Sequence, residues 1–215
     1  WGRSSEIEIE KVRPVDQDST FSVAPVRQVA WGLTKSRAEE AWNQGAKGQG
    51  IVVAVLDSGL AVDHPDLAGN VWTNPGESGK DSAGADKATN GLDDDANGYV
   101  DDVHGWNFED NTADLSDFQG HGTQAAGVVA GNGKSGTQTG VAPEAKIMVL
   151  KACCMLGGEA AESIMWEALQ YAISNGARVI SMSVTMRPFG NPNWGGWRRV
   201  GEVLNAAGIV HVNSA

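Results

Sequence analysis

The sequence has few cysteines, no long apolar run and a shortage of basic residues. Its two cysteines, Cys153 and Cys154, are adjacent, and a disulfide between neighbours would be strained, so we expect free thiols and no disulfide framework. No apolar segment reaches the ~18–20 residues that span a bilayer, so we expect no membrane partner. The 16 basic and 27 acidic residues give a net charge of −11. Because phosphate binding needs clustered lysine and arginine, nucleic acid is not expected as a partner either.

Four short apolar runs stand out in a chain that is long enough for one sizeable core. They begin at Ile51, Lys146, Arg178 and Gly208 and are rich in β-branched residues, which is typical of strands buried on both faces. Two amphipathic segments precede Gly176 and Gly208 and have the apolar period of helices. This alternation predicts an α/β fold with a doubly wound parallel sheet.

The two ends of the chain differ in character. Residues 1–28 are polar and mixed, and we expect a tail there, either the end of a propeptide or a linker, with one partial domain over residues 29–215. Ser36 followed by Glu39 predicts a capping box at the start of a helix that stops at Gly45. The last apolar run stops within a predicted strand, so we expect this sequence to be a piece of a longer protein.

Two residues stand where catalytic groups gather in this class of fold. Asp57 directly follows the run 51–56, and functional groups of open α/β sheets lie at the carboxyl ends of strands. His121 lies between two glycines before a run of small residues that would pack tightly as a helix against the sheet. Taken singly, the aspartate could be a turn or N-cap residue and the histidine a structural one. As a pair, the aspartate can orient the imidazole, which can act as a general base.

An acidic segment over residues 90–108 has the oxygen spacing of a calcium loop. The first, third, fifth and seventh positions of this loop are Asp93, Asp95, Asn97 and the carbonyl of Tyr99. Gly98 stands at the sharp turn, and Asp101 or Asp102 could supply a closing carboxylate, although the glutamate of an EF-hand is replaced by His104. The alternative is a solvated acidic loop. The spacing and the glycine together favour Ca²⁺.

Several segments, in order, resemble the subtilisin-like serine proteases. "VAVLDSGLAVDHPDL" and "GHGTQAAGVVAG" resemble the Asp and His motifs of the family, and "WGLTKSRAEEAW" resembles the start of its mature catalytic domain. "GVAPEAKIMVLKA" and "NGARVISMSV" resemble the strands that follow. The resemblance implies a subtilisin-like fold and a serine endopeptidase, with Asp57 as the triad acid and His121 as the general base. The acidic segment resembles a calcium-binding insertion of many secreted members, which implies bound calcium and a secreted protein.

The resemblance also implies a cleft for a polypeptide in extended conformation. The backbone of Ser183, Val184 and Thr185 would pair with the peptide as an added strand, and Gly157 would lie near the opposite wall. The family usually has glycine at the position of Thr185, so this β-branched residue would narrow the cleft.

Two parts of the family's machinery are missing from these 215 residues. No Gly-Thr-Ser-Met-Ala motif carries a nucleophile, and the last apolar run stops before the expected oxyanion-hole Gly-Asn. We therefore expect no peptidase activity from this chain alone, because the main sources of rate are absent. The missing partner would be the C-terminal part of the catalytic domain. A non-catalytic calcium- or peptide-binding pseudoprotease and half of a split protease are the alternatives.

Overall fold

The computed structural model of the chain describes residues 31–134, 139–152, 159–184 and 193–214. Its helices are α1 (Trp31–Ser36), α2 (Ala38–Asn43), α3 (His121–Ala130), α4 (Glu159–Ser174) and α5 (Trp194–Ala206). Its strands are β1 (Val52–Asp57), β2 (Gly105–Asn107), β3 (Lys146–Lys151), β4 (Val179–Met182) and β5 (Val210–Asn213). The tail, both cysteines, Gly157 and Thr185 lie outside the described residues.

The five strands form one parallel sheet in the order β2-β3-β1-β4-β5. After the central strand β1, the chain builds one side of the sheet with β2 and β3 and then crosses to the other side with β4 and β5. The carboxyl end of β1 is therefore the point at which the strand order reverses, where open α/β sheets bind their ligands. The parallel α/β class is confirmed, as are all four predicted strands, and β2 is an addition.

Helices cover both faces of the sheet because alternate side chains of each strand point to opposite faces. On one face, Val53 and Val55 pack in a cluster with Ala126 and Ala130 of α3. On the other face, α4 and α5 pack against the strands and form the larger cluster. Its buried residues include Ala54, Leu56, Met148, Leu150, Met165, Leu169 and Leu204. The small residues of α3 let this helix lie close to β1, which positions its first residue, His121, near the strand end.

The predicted capping box at Ser36 is wrong. Ser36 is the last residue of α1, and its hydroxyl donates a hydrogen bond to the carbonyl of Leu33 at 3.2 Å. The serine side chain thus bonds to the preceding turn, which is a local alternative to capping the next helix. The next helix begins after Arg37, which is left-handed (φ 60°) and makes no side-chain cap. Among the described residues, no helix combines the length and the apolar character that crossing a bilayer requires.

Candidate active site

Asp57 is the last residue of β1 and is only 1% exposed. Its Oδ1 accepts hydrogen bonds from the backbone N–H of Ser58 at 2.7 Å and from Nδ1 of His121 at 2.7 Å. A carboxylate only accepts, so the proton of this bond belongs to Nδ1 of the imidazole. The Oδ2 atom is buried and has no hydrogen-bond partner among the described residues. The acid and the base predicted from the sequence therefore meet at the switch point of the sheet.

His121 owes its position to the two glycines beside it. Gly120 takes the left-handed conformation (φ 77°) that turns the chain into α3. A Cβ at Gly122 would collide with the carbonyl oxygen of Gly59 and approach Asp57 within 3.1 Å. Because Gly122 lacks a side chain, the first turn of α3 packs directly against the loop after β1. The imidazole side chain remains 55% exposed.

The pKa of His121 lies above its ordinary value of 6.5. The hydrogen bond to Asp57 is the largest cause, followed by the negative charge of Asp57, while partial burial opposes them and Asp117 adds a smaller rise. This arrangement stabilises the imidazolium that forms when the imidazole takes a proton. The pair can therefore orient a general base and stabilise its charged form.

The described part of the expected substrate edge follows β4. Ser183 is exposed, whereas Val184 is 6% exposed and belongs to the core beneath the sheet. Because the side chain of Val184 is buried, only the backbone of this residue could pair with a peptide.

The acidic segment brings Asp93 and Asp95 together with Glu77, a residue that the sequence reasoning missed. Ligand oxygens of these three residues, called the acidic cluster below, all lie within 4.8 Å of one another. Glu77 is fully buried, and its Oε1 accepts the backbone N–H groups of Asp94 at 2.7 Å and Asp95 at 3.3 Å. Glu77 lies outside the segment 90–108, so the spacing within that segment contains no signal for it.

The other candidate ligands take different positions. Asp102 is fully buried and accepts hydrogen bonds from side chains of Asn74, Asn97 and Tyr171. The carboxylate of Asp101 accepts the backbone N–H of Gly91 at 3.1 and 3.2 Å. For the remaining predicted position, Tyr99, the structure places the ring against Trp106, Phe108 and Tyr171.

The acidic cluster fits a hard cation such as Ca²⁺. Burial, the largest cause, raises the pKa of Glu77, and the nearby charges of Asp102 and Asp95 raise it further. Its Oε2 is buried and has no hydrogen-bond partner within the described ranges. Calcium takes carboxylate oxygens at about 2.3–2.6 Å, so oxygens up to 4.8 Å apart can share one ion. A bound cation would give Oε2 a partner and offset the gathered negative charge.

A buried aspartate followed along the chain by an imidazole, at the switch point of a parallel sheet, is the arrangement that Asp-His-Ser hydrolases on this kind of sheet share. The chain belongs to the subtilase family, whose family profile matches residues 48–215.

Two relatives and one solved structure illustrate the match. The chain is 32% identical over 177 residues to the major intracellular serine protease of Bacillus subtilis (strain 168), covering 81% of this chain and 46% of that protein. It is 31% identical over 157 residues to the minor extracellular protease Vpr of the same organism, covering 73% of this chain and 16% of that protein. The chain thus spans less than half the length of either relative. The crystal structure of MycP1 with its N-terminal propeptide removed shares the fold, with a TM-score of 0.56, 20% identity, and coverage of 85% and 47% of the two chains.

Proposed function

We propose that this chain supplies the acid and the base of a serine endopeptidase. The 2.7 Å contact between Asp57 and His121 at the switch point is the observation that supports this function. In the reaction, Nε2 of His121 takes the proton of the nucleophilic serine as that hydroxyl attacks the scissile carbonyl. Asp57 holds the imidazole in the required tautomer and stabilises its cation, and the imidazolium then protonates the leaving amine.

The nucleophile of this proposal comes from outside the 215 residues. Ser58, although it follows Asp57, is unsuited to the role, because its Oγ donates to Asp117 and accepts the N–H of Gly122. The sequence has no Gly-Thr-Ser-Met-Ala motif. We expect residues 29–215 to form part of a catalytic domain that hydrolyses peptides only when its remaining part, with the serine and the oxyanion donor, is present.

The substrate of the complete enzyme is a polypeptide in extended conformation. The backbone from Ser183 through Val184 to Thr185 would add the peptide as a strand, with Gly157 near the opposite wall. The exposure of Ser183 and the burial of the Val184 side chain support a contact made through the backbone. Secretion stays a prediction, since relatives named as intracellular and as extracellular both match the chain.

The test begins with the reading frame beyond Ala215. A frame that continues into Gly-Asn and a later Gly-Thr-Ser motif gives a protein that should cleave a chromogenic peptide and react with a fluorophosphonate probe. Replacing Asp57 or His121 with alanine in that protein should lower kcat by about 10⁴-fold or more. A stop codon after Ala215 favours the pseudoprotease or the split protease, and a second chain that restores cleavage distinguishes these two.

We also propose that the chain binds a structural calcium ion at the acidic cluster. The Oε2 of Glu77 is buried and has no hydrogen-bond partner in the part of the chain that the structure describes, and its position beside Asp93 and Asp95 supports this site. Asp102 and Asn97, both predicted ligands, lie beside it and are linked by a hydrogen bond of 3.0 Å. An ion that binds only the folded state stabilises it by about 2.7 kcal/mol at 100 times its Kd. The melting temperature should therefore rise with Ca²⁺ after chelation, and an unchanged value would exclude the site.

A further inference from the structure

Asp117 lies four residues before His121 and gathers hydrogen bonds from both sides of the pair. Its Oδ1 accepts from the hydroxyl of Ser58 at 2.9 Å and from the backbone N–H of Gly120 at 2.8 Å. Its Oδ2 accepts from the backbone N–H of Thr123 at 2.8 Å and from the hydroxyl of Thr123 at 2.6 Å. One side chain thus holds the residues that flank both members of the pair.

Ser58 links this carboxylate to the strand end. Its backbone N–H donates to Oδ1 of Asp57, and its hydroxyl, which donates to Asp117, accepts the backbone N–H of Gly122 at 3.0 Å. The hydroxyl of Thr123 in turn accepts the N–H of Ala61 at 3.0 Å. The loop after β1 and the first turn of α3 are therefore tied together through Asp117 and two hydroxyls.

The first turn of α3 needs such an acceptor. Gly120 stands at the N-cap and has no side chain, so the free N–H groups of this turn have no cap from that position. Asp117 accepts the N–H of Thr123, which a capping side chain would otherwise take. Its negative charge at the N-terminus of a ten-residue helix is also favourable.

The imidazole of His121 depends on this backbone. Within the described residues, the hydrogen bond that fixes its ring is the one to Asp57, and 55% of its side chain is exposed. The remaining constraint on its direction comes from the Cα position between Gly120 and Gly122. Both of these residues donate N–H groups into the Asp117–Ser58 network.

We propose that Asp117 is the positioning residue of the acid–base pair: through Ser58, Gly120 and Thr123 it fixes the first turn of α3 so that Nδ1 of His121 meets Oδ1 of Asp57. This role rests on the proposed function, in which that contact orients the general base. The hydrogen bonds that Asp117 accepts come from Ser58, Gly120 and Thr123. Asp117 acts through the backbone that carries the histidine.

The charged groups around this turn are few. Asp57 and Asp117 both raise the pKa of His121. Lys151, at the end of β3, donates to the carbonyl of Ser116 at 2.9 Å and lies 5.5 Å from the ring centre of Phe118. Asp114, in the same loop, accepts bonds from the N–H and the hydroxyl of Ser116 and makes none of the bonds of Asp117.

The test uses histidine NMR on the 215-residue chain, which has only four histidines. The wild type should show a slowly exchanging, downfield Nδ1 proton for His121 and a pKa above that of a free imidazole. Asp117→Asn keeps one acceptor oxygen but sets an amide group against the Thr123 donors, so this proton signal should be lost. The pKa should fall too, in part because the charge of Asp117 itself raises it, so the proton signal is the readout that reports position. Asp114→Asn removes the same charge from the same loop and should leave both readouts at their wild-type values.

A second variant disturbs the position of the first turn of α3 without removing the negative charge of Asp117. Ser58→Ala keeps the Asp117 carboxylate but breaks its link to Gly122, and it should also weaken the downfield signal. Wild-type spectra of His121 in both Asp117→Asn and Ser58→Ala would overturn the positioning role and leave the proposed function intact. A wild-type chain without the downfield proton or the raised pKa would contradict the Asp57–His121 pair itself, and the positioning role with it.

Discussion

The hydroxyl of Tyr171, in the last turn of α4, donates a hydrogen bond to the fully buried carboxylate of Asp102. The side-chain amides of Asn74 and Asn97 donate to the same carboxylate at 2.8 and 3.0 Å. Burial raises the pKa of Asp102, whereas these three hydrogen bonds lower it and stabilise the charge. Asp102 thus attaches the acidic segment to the core, and its buried negative charge is stabilised by the three hydrogen-bond donors.

Replacing Tyr171 with phenylalanine should destabilise the fold by about 1–3 kcal/mol, because a buried carboxylate oxygen loses its donor. Urea unfolding of the two proteins measures this difference. Tyr99→Phe is the matched control, since the Tyr99 hydroxyl bonds to Glu167 at an exposed position, and it should cost less than about 1 kcal/mol. Equal losses in the free energy of unfolding would show that the buried hydrogen bond of Tyr171 stabilises the fold no more than the exposed bond of Tyr99.

Alanine at Gly122 should destabilise the protein by about 1–3 kcal/mol, since its Cβ would press α3 away from the Gly59 carbonyl. The displacement should also weaken the downfield Nδ1 proton signal of His121. Gly127→Ala tests the same change in the same helix, at a position where nothing lies within 4 Å of the added Cβ. This control should stabilise the protein by about 0.5–1 kcal/mol, because alanine favours the helix. Urea unfolding measures the stability of both variants. If both are destabilised, the cause is the substitution of a glycine in α3 in general and not the contact with the Gly59 carbonyl.

Glutamine in place of Glu77 should remove most of the calcium-dependent rise in melting temperature. It replaces one of the two carboxylate oxygens, of which Oε2 has no partner among the described residues, with an amide nitrogen, which does not ligate Ca²⁺. Asp110→Asn removes a negative charge just beyond the acidic segment, at a residue that is not a predicted ligand, and keeps an acceptor for the side-chain amide of Asn107. This control should keep the rise. Differential scanning calorimetry with and without Ca²⁺ distinguishes the two, and a full response of Glu77→Gln would remove this residue from the site.

The coupling between Asp57 and His121 should depend on pH. The folded-state pKa of His121 lies above its ordinary value of 6.5, so the stabilisation is fully present below about pH 6.5 and fades as the pH rises through the raised value. A double-mutant cycle with Asp57→Asn and His121→Gln isolates this coupling. Its energy should be larger near pH 5.5 than near pH 9, and a cycle that is flat over this range would contradict the shifted pKa. Because more than half of the imidazole is exposed and solvent screens its charge, the prediction is the direction in which the coupling energy changes with pH.

The strands and the pair at the switch point were predictable from the sequence for a physical reason. Apolar β-branched runs fix the parallel sheet, and the sheet in turn fixes where the carboxyl end of β1 lies. The position of Asp57 follows directly, and small residues around His121 dictate close packing of α3. Local pattern and tertiary packing agree at these positions.

The features that escaped prediction depend on contacts between distant segments. Glu77 joins Asp93 and Asp95 through backbone N–H groups of residues 94 and 95, and no local period marks it. Strand β2 has only three residues and pairs with β3 through the register of Gly105 with Val149, which is too short a run to recognise. At Ser36, a bond to the preceding turn competed with the expected cap.

Asp57 and His121 are 64 positions apart in the chain, and the whole acidic segment lies between them. This long excursion is tied at its base, where the N–H of Leu60 donates to the carbonyl of Leu115 at 2.8 Å and Gly122 donates to Ser58. Each doubling of a closed loop costs only about 0.6 kcal/mol. Insertions at the exposed turn of residues 82–86, away from β2 and the buried residues of this excursion, can therefore change its length while the distance between acid and base stays the same. New surface can therefore be added to the protein at this turn without altering the geometry of its acid–base pair.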